Sequence, residues 1–262
     1  MNLILEIKKT FVIARYTFIE IYKSKILLNI ILLGFALLVV SYVASEFSYG
    51  VQSRIALDFG LGTLYLAIVG ISIFFGAALM AKEIESRTCY MILSRPVKRH
   101  TFLLGKIAGM STILAINVFF LGTLTICFYL YLGGAYSNLI LWCLLLSFFE
   151  AVLLLMVVIF FSLISKTTMS VIYTICVFIL GHVLPNTLGK DIILKGDLIF
   201  YKLMKLGSLI LPNLSKFNIR DHLIYKQELA PQFLWGTLAY AVVYILFLVA
   251  LNIIVFNRKQ LD

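Results

Sequence analysis

The sequence has 262 residues, of which 62% are hydrophobic and only 13% are charged. A soluble domain carries about 25% charged residues, so this composition excludes a soluble globular protein and predicts a polytopic membrane protein. The net charge of +10 does not indicate nucleic-acid binding, because basic loops are expected at the cytoplasmic ends of membrane spans. The four cysteines are scattered without a CxxC pair, which argues against a disulfide framework.

Residues 1–25 predict an amphipathic helix rather than a cleavable signal peptide. A signal peptide places its apolar run directly after a short basic start, whereas apolar residues here recur at helical intervals with charged residues roughly opposite. Such a helix suits the membrane interface. Five basic residues before the first apolar run favour a cytoplasmic N-terminus: Lys8, Lys9, Arg15, Lys23 and Lys25.

Six apolar runs follow that are long enough to cross a bilayer, which needs about 20 apolar residues. They cover residues 26–43, 59–81, 107–132, 139–165, 167–184 and 232–256. The links at 133–138 and around Lys166 are so short that the spans they join must be antiparallel neighbours. The predicted fold is therefore an all-α membrane protein with six transmembrane helices and both termini on one side of the membrane.

The distribution of charge predicts the orientation. With the N-terminus inside, the cytoplasmic segments hold 14 basic residues and the opposite side holds 8, which favours a cytoplasmic N-terminus and C-terminus. The loop at 185–231 is then on the outer side, and its run at 198–211 is too short to span, so we expect an interfacial or re-entrant helix there. The whole chain forms one transmembrane domain, 1–262, with spans one to five at 26–184 and the sixth span and tail at 232–262.

No pattern of an enzyme site is found. The sequence lacks the glycine-rich phosphate loop of nucleotide-binding proteins, paired carboxylates and a nucleophile elbow. His100, His182 and His222 have no ligand partner at helical spacing, so a polar anchor is favoured over a metal ligand for each of them. We therefore expect no catalytic, cofactor or metal site in this chain.

Glu150 is the one charged residue in the interior of a predicted span. A carboxylate there is unfavourable by a few kcal/mol unless it is protonated, paired or faces water. Two interpretations stay open: Glu150 lines a translocation path or subunit interface, or it is a neutral group hydrogen-bonded to a neighbouring helix, for instance to Asn117 or a serine. Separately, Gly105 and Gly109 at the start of the third span form a GxxxG pair that permits close helix packing.

The longest polar interruption in the first half of the chain is residues 82–106, which hold six basic residues and two acidic ones. Within it, residues 84–93 can form a short amphipathic helix, and Pro96 follows, which biases the residue before it away from helix. This predicts a small helix between the second and third spans that presses on a partner.

Three parts of this stretch carry a resemblance to a known family: EIESRT at 83–88, LSRPVKR at 93–99 and FLLGK at 102–106. Together they resemble the signature of ABC-2 type permeases, the membrane subunits of many ABC exporters. With Arg87 rather than glycine before Thr88, the stretch looks like the branch that includes the permease for nitrous oxide reductase maturation. LPNL at 211–214 with FNIR at 217–220 is similar to the outer segment of that branch.

The resemblance implies that residues 84–93 are a coupling helix seated in a separately encoded ATPase, which binds ATP and Mg. A second permease copy, as homodimer or heterodimer, would complete an exporter of the prokaryotic plasma membrane that works by alternating access, with the second and fifth spans as its lining. The implied contact residues are Glu83, Glu85, Arg87, Thr88, Tyr90, Met91, Leu93, Ser94, Arg95 and Pro96.

Lys98 and Arg99 are better explained as cytoplasmic anchors that meet anionic lipid head groups. The aromatic content and the lack of charge favour an amphipathic cargo. Two other functions fit the same sequence: a secondary transporter, for which internal repeats and mid-membrane ionisable residues are typical, and a membrane scaffold that anchors an ATPase or an assembly complex.

Overall fold

The structure is a computed structural model of the chain. It describes residues 2–23, 32, 34–36, 39–40, 42–43, 52–85, 98–188, 202, 204–208, 211–225 and 227–258. Over these ranges all regular secondary structure is helical, which confirms the predicted all-α class.

The main helices follow one another in chain order. Their bounds are α1 Asn2–Lys23, α2 Gln52–Gly70, α3 Gly76–Glu85, α4 Arg99–Tyr131, α5 Asn138–Ile164, α6 Thr167–Leu188, α7 Arg220–Ile224 and α8 Pro231–Arg258. A π-helical turn at Ile71–Phe75 joins α2 to α3 without a break, and a 3₁₀ turn at Leu214–Phe217 precedes α7.

Five helical segments in the described residues are long and apolar enough to cross a membrane: Gln52–Met80, α4, α5, Thr167–Thr187 and α8. They confirm the predicted second to sixth spans. The first predicted span, 26–43, lies largely outside the described residues. Of its described part, Gly34 lies against Leu121, and the ring of Tyr42 is 5.8 Å from that of Phe128.

Two spans begin earlier than predicted. The helix of the second span starts at Gln52 rather than at 59, and α4 starts at Arg99 rather than at 107. Both extensions contain charged residues that the hydropathy criterion excludes, and in each extension one of them forms an ion pair with another part of the chain. Asp58 pairs with Arg220, and Lys106 lies 3.4 Å from Glu20.

The bundle has two distinct ends. The start of α2 and the turn between α4 and α5 line one shared cavity, together with Leu223, Ile224, Gln227 and Glu228; we call this the Asp58 end. At the opposite end, Lys98 pairs with Glu6, and Arg99 donates to the carbonyls of Phe256 and Asn257, so we call it the Lys98 end. The helix α1 and the end of α8 therefore lie at the same end of the bundle.

The core is formed around α5, the most buried of the spanning helices. Its inward residues pack against α2, α3, α6 and α8. At the Asp58 end the 3₁₀ turn is part of this core, since Leu214 and Phe217 are fully buried. Part of the predicted outer loop is thus packed against the helices. Its predicted helix at 198–211 is described only in part, with residues 204–208 helical.

Candidate functional site

The predicted coupling segment, residues 83–96, begins inside a span helix. Glu83 and Glu85 belong to α3, so the backbone of the second span continues as helix through both residues. The rest of the segment, with Arg87, Thr88, Tyr90, Met91, Leu93, Ser94, Arg95 and Pro96, lies outside the described residues. Its contacts and its helix at 84–93 therefore stay predictions.

The chain is anchored directly after this segment. Lys98 pairs with the Glu6 carboxylate, and Nε2 of His100 lies 3.5 Å from the second oxygen of Glu6. Between them, Arg99 donates two hydrogen bonds of 3.3 Å to the last carbonyls of α8, Phe256 and Asn257. Three consecutive residues thus connect the start of α4 to both α1 and α8. Lys98 and Arg99, expected to meet lipid, have protein partners.

Glu6 carries the electrostatic part of this anchor. The hydrogen bond from Lys98 is the main reason that the pKa of Glu6 lies below its ordinary value, and His100 acts in the same direction. The carboxylate is accessible to solvent, so this ion pair orients α1 more than it stabilises the fold.

Close packing continues along α4. Gly105 and Gly109 both face α1: a Cβ atom at Gly105 would lie 2.7 Å from the side chain of Ile13, and one at Gly109 would lie 2.7 Å from the carbonyl oxygen of Ala14. The absence of side chains at these two positions is what lets α1 lie against the first turns of α4. The proposed role of this GxxxG pair is accordingly the contact between α1 and α4.

A second polar group lies in the middle of the bundle. The Tyr65 hydroxyl donates to Oε1 of Glu150 at 2.6 Å, and Nε2 of His182 lies 3.3 Å from the same oxygen and 3.2 Å from the Tyr65 hydroxyl. These three residues, the Glu150 cluster, come from α2, α5 and α6. Glu150 is only 1% exposed, so its carboxylate lies inside the bundle and away from its outer surface.

The surroundings of the Glu150 cluster are aromatic and apolar. The ring of Phe178 lies 4.7 Å from that of His182 and 6.3 Å from that of Tyr65. Nearer the Lys98 end, the Ser72 hydroxyl donates to the Ala151 carbonyl at 2.7 Å, from the π-helical turn to α5. Polar contacts thus hold α2 and its π-helical turn to α5 at two successive levels.

Asn117 is separate from this cluster. Its amide donates to the Ile113 carbonyl on its own helix, at 3.0 Å, and the residue is fully buried. The hydrogen-bond partners of Glu150 are therefore Tyr65 and His182, instead of the asparagine or serine that the sequence suggested. Tyr65 carried no sequence signal, because its apolar neighbours in α2 give no reason to single it out.

The Asp58 end carries an ion pair and a cavity. Nε of Arg220 donates to Asp58 at 2.6 Å, which fixes α7 against α2. The neighbouring cavity, of about 270 Å³, is lined by Arg54, Leu57, Tyr129, Ala135, Tyr136, Ser137, Leu139, Ile140, Leu223, Ile224, Gln227 and Glu228. Among the described residues no group of three or more histidine, cysteine or acidic side chains could hold a metal ion.

Comparison with protein-family models finds a match over residues 7–261 to the family described as ABC-2 family transporter protein. The match therefore includes α1 from residue 7 onwards, residues 83–96, all five described spans and residues 98–100. Comparison with curated proteins found no match.

Proposed function

The chain belongs to the ABC-2 transporter family, and on that premise we propose that it is the membrane subunit of an exporter whose ATPase is a separate protein. The observation that carries this proposal is the family match over nearly the whole chain, which includes residues 83–96. Membrane subunits of this family are typically paired with an ATPase. ATP and Mg then belong to that partner, and this chain supplies the docking segment and the path through the membrane.

The docking site is the segment between α3 and α4, at the Lys98 end. Its two flanks support this role, because α3 continues the second span without a break and residues 98–100 are held by α1 and α8. A push on the segment is then delivered to the bundle through two stiff helices. At the start of the segment, Glu83 and Glu85 can face a basic surface of the ATPase, whereas an anionic membrane surface would repel them.

Six crossings are the topology that best fits this role. Residues 24–51 connect α1, at the Lys98 end, to the start of α2 at the Asp58 end. The positions of Gly34 near Leu121 and of Tyr42 near Phe128, further along α4 towards the Asp58 end, support a first span running alongside α4. The Lys98 end is then cytoplasmic, and both termini lie on the cytoplasmic side of the plasma membrane of a prokaryotic cell.

The exposed face of α1 is suited to the inner surface of that membrane. Its apolar side chains Ile7, Phe11 and Tyr16 are 60–70% exposed, and Lys8 and Arg15 are exposed among them. This mixture of apolar and basic side chains favours an anionic interface. It supports the prediction that α1 is interfacial, held in place by its packing on α4.

The transport pathway lies in a dimer of two such chains. This dimer moves an amphipathic cargo outwards by alternating access. The narrower resemblance to the permease for nitrous oxide reductase maturation stays a prediction, which a test of cargo would decide. The Glu150 cluster is the one observation that favours a secondary transporter instead, because ionisable groups near the mid-membrane are typical of that class. Cargo flux without ATP would identify that alternative, and ATPase capture without any flux would identify a scaffold.

Co-purification tests the docking site directly. The chain is expressed with the ATPase encoded beside it, as wild type, Glu83→Lys and Leu93→Asp. Breaking a desolvated charge pair at an interface weakens binding by about 2–5 kcal/mol, or more than tenfold, so Glu83→Lys should lose most of the ATPase. Leu93→Asp should lose it as well, because it would bury an unpaired carboxylate at a predicted apolar contact. Glu228→Lys is the matched control, since it reverses the same charge on an exposed side chain at the Asp58 end. Full capture by both docking variants would contradict the proposed site.

A further inference from the structure

We propose that the Glu150 cluster is an intramembrane proton-binding site, in which one proton shared by Glu150 and His182 holds α2, α5 and α6 together. The ligand is the proton itself, and the site is built from Tyr65 and these two residues alone. The inference rests on the hydrogen-bond geometry, so it does not depend on whether an ATPase docks at the Lys98 end.

The backbone contact of His182 determines its tautomer. Nδ1 of His182 lies 3.0 Å from the Phe178 carbonyl oxygen. A carbonyl oxygen only accepts, so Nδ1 must carry a hydrogen and donate it. In a neutral imidazole Nε2 is then a bare acceptor, and it faces Oε1 of Glu150 at 3.3 Å and the Tyr65 hydroxyl oxygen at 3.2 Å.

Oε1 of Glu150, Nε2 of His182 and the Tyr65 hydroxyl oxygen share a limited number of hydrogens. The single hydroxyl hydrogen of Tyr65 is used in its 2.6 Å bond to Glu150. With a bare Nε2 and an ionised carboxylate, two acceptors would face each other with no hydrogen between them. One more proton resolves this, either on Nε2, which then donates to the carboxylate, or on Oε1, which then donates to the imidazole.

The depth of Glu150 in the membrane disfavours a net charge on the cluster. Glu150 is 12 residues from the start of α5, or about 18 Å at about 1.5 Å per residue, which places it near the middle of a bilayer core about 30 Å thick. The cluster is neutral when it holds that one proton and carries a negative charge when it does not. An uncompensated charge at this depth is strongly unfavourable, so the packed bundle retains the proton.

The neighbouring titratable groups do not supply the missing charge. On α5 itself the nearest is Cys143, two turns towards the Asp58 end. From α7, Arg220 approaches the same side of α5, but its charge is matched by Asp58 of α2. The described stretches of α3 that pack on α5 contain no titratable side chain, and α6 contributes none besides His182 and two exposed or partly exposed groups, Tyr173 and Cys176.

Two further helices, α4 and α8, pack on α5. Along its spanning part α4 offers only Cys127, an exposed thiol, before its tyrosines at the Asp58 end. The helix α8 offers Tyr240, whose hydroxyl accepts from the backbone of Asn213, and Tyr244 beside it. Neither group is charged near neutral pH.

Retention of the proton also matters for α6. Pro185 lies within this helix and has no backbone N–H, so the hydrogen bond that the Gly181 carbonyl would otherwise accept is missing next to His182. Next to this missing backbone bond, His182 contacts Glu150 and Tyr65 and links α6 to α5 and α2. Loss of the shared proton removes one of these contacts and frees α6 to move relative to α2 and α5.

The test is the pH dependence of stability. A free glutamate loses its proton near about pH 4.3 and a free imidazole near about pH 6.5, so above about pH 6.5 the unfolded chain holds no proton on this pair and the folded chain holds one. Stability contributed by the site therefore falls as pH rises from 6.5 towards 8.5, by up to tenfold in the folding equilibrium per pH unit. Thermal melting of the purified full chain in detergent measures this.

Variants assign the effect to the cluster. His182→Gln and Glu150→Gln should each abolish the fall in melting temperature between about pH 6.5 and 8.5, whereas Ser72→Ala and His100→Gln should retain it. Ser72→Ala removes a neighbouring interhelical hydrogen bond that has no titratable group, and His100→Gln removes a histidine at the Lys98 end.

If neither single glutamine variant folds, the triple variant Tyr65→Phe, Glu150→Leu, His182→Leu replaces every polar atom of the cluster, a change that buried pairs often tolerate. Its melting temperature should not vary over the same range. A wild type whose stability is flat above about pH 6.5 overturns the proposal. An unchanged pH dependence in the His182, Glu150 or triple variants also overturns it.

Discussion

Replacing Gly109 by alanine tests how closely α1 must pack on α4. A Cβ atom there would lie 2.7 Å from the carbonyl oxygen of Ala14 and 2.8 Å from Cβ of Thr17. Ordinary contacts between such atoms are about 3.5 Å or longer, so α1 must move by several tenths of an ångström. Because one of the two atoms belongs to the backbone, the clash cannot be relieved by rotating a side chain.

The size of the effect follows from a matched comparison with Gly236→Ala. Gly236 lies in α8 and has no neighbour within 4 Å of the added Cβ. Both substitutions gain up to about 1 kcal/mol of helix propensity, so that gain cancels in the difference. Overpacking destabilises by about 1–3 kcal/mol, which corresponds to a difference in melting temperature of about 2–12 °C.

The assay is thermal melting of the two variants and the wild type in detergent, followed by circular dichroism. Gly109→Ala should melt below Gly236→Ala by that margin. Hydrogen exchange should also rise in residues 10–21 of α1 for Gly109→Ala alone, since this is the surface that has to move. Equal melting of the two alanine variants would refute the close contact between α1 and α4.

Three further predictions concern single contacts. Asn252→Ala removes the bond from its amide to the Met156 carbonyl, 3.1 Å away in α5, and should lower stability by about 0.6–1.7 kcal/mol in thermal melting; an unchanged melting temperature would show that α8 does not need this bond. Arg220→Gln should speed proteolysis within 211–225, because it removes the ion pair with Asp58. The double variant Asp58→Arg, Arg220→Asp, which exchanges the two charges, should restore protection, and salt should weaken that protection. A double variant that restores no protection would mean that the pair does not hold α7. The pKa of Glu6 lies below its ordinary value of 4.5, so its ion pair contributes stability above pH 4.5, and this stability is lost as pH falls through the folded-state pKa. Hydrogen exchange of α1 should therefore rise on acidification in wild type but not in Glu6→Gln.

Hydropathy predicted most of the fold because burial in lipid requires long uncharged helices. The five described spans occur where the apolar runs lie, and the short turn at 133–138 makes α4 and α5 antiparallel neighbours. The same criterion placed two helix starts too late. The hydropathy criterion excludes Asp58, Arg99 and Lys106 from the spans that follow them, because it contains no information on their partners elsewhere in the chain.

The Glu150 cluster shows the same limit for a candidate site. The sequence identified Glu150 from its position in an apolar run, but its partners come from two other spans. Tyr65 lies 85 residues before Glu150 in the chain, and His182 lies 32 residues after it. Helical spacing relates residues on one helix only. Contacts between helices depend on which faces meet, and a single sequence does not determine that.

Photo-crosslinking tests the central claim, docking of a separate ATPase on residues 83–96, most directly. A photoreactive amino acid is placed at Met91, within the docking segment, and in a matched chain at Tyr136, which is 52% exposed at the Asp58 end. Each chain is expressed in cells together with the ATPase, and crosslinked products are identified by mass. The account predicts a permease–ATPase product from position 91 and none from position 136. A product from position 136 alone, or none from position 91 while the ATPase still co-purifies, would contradict it.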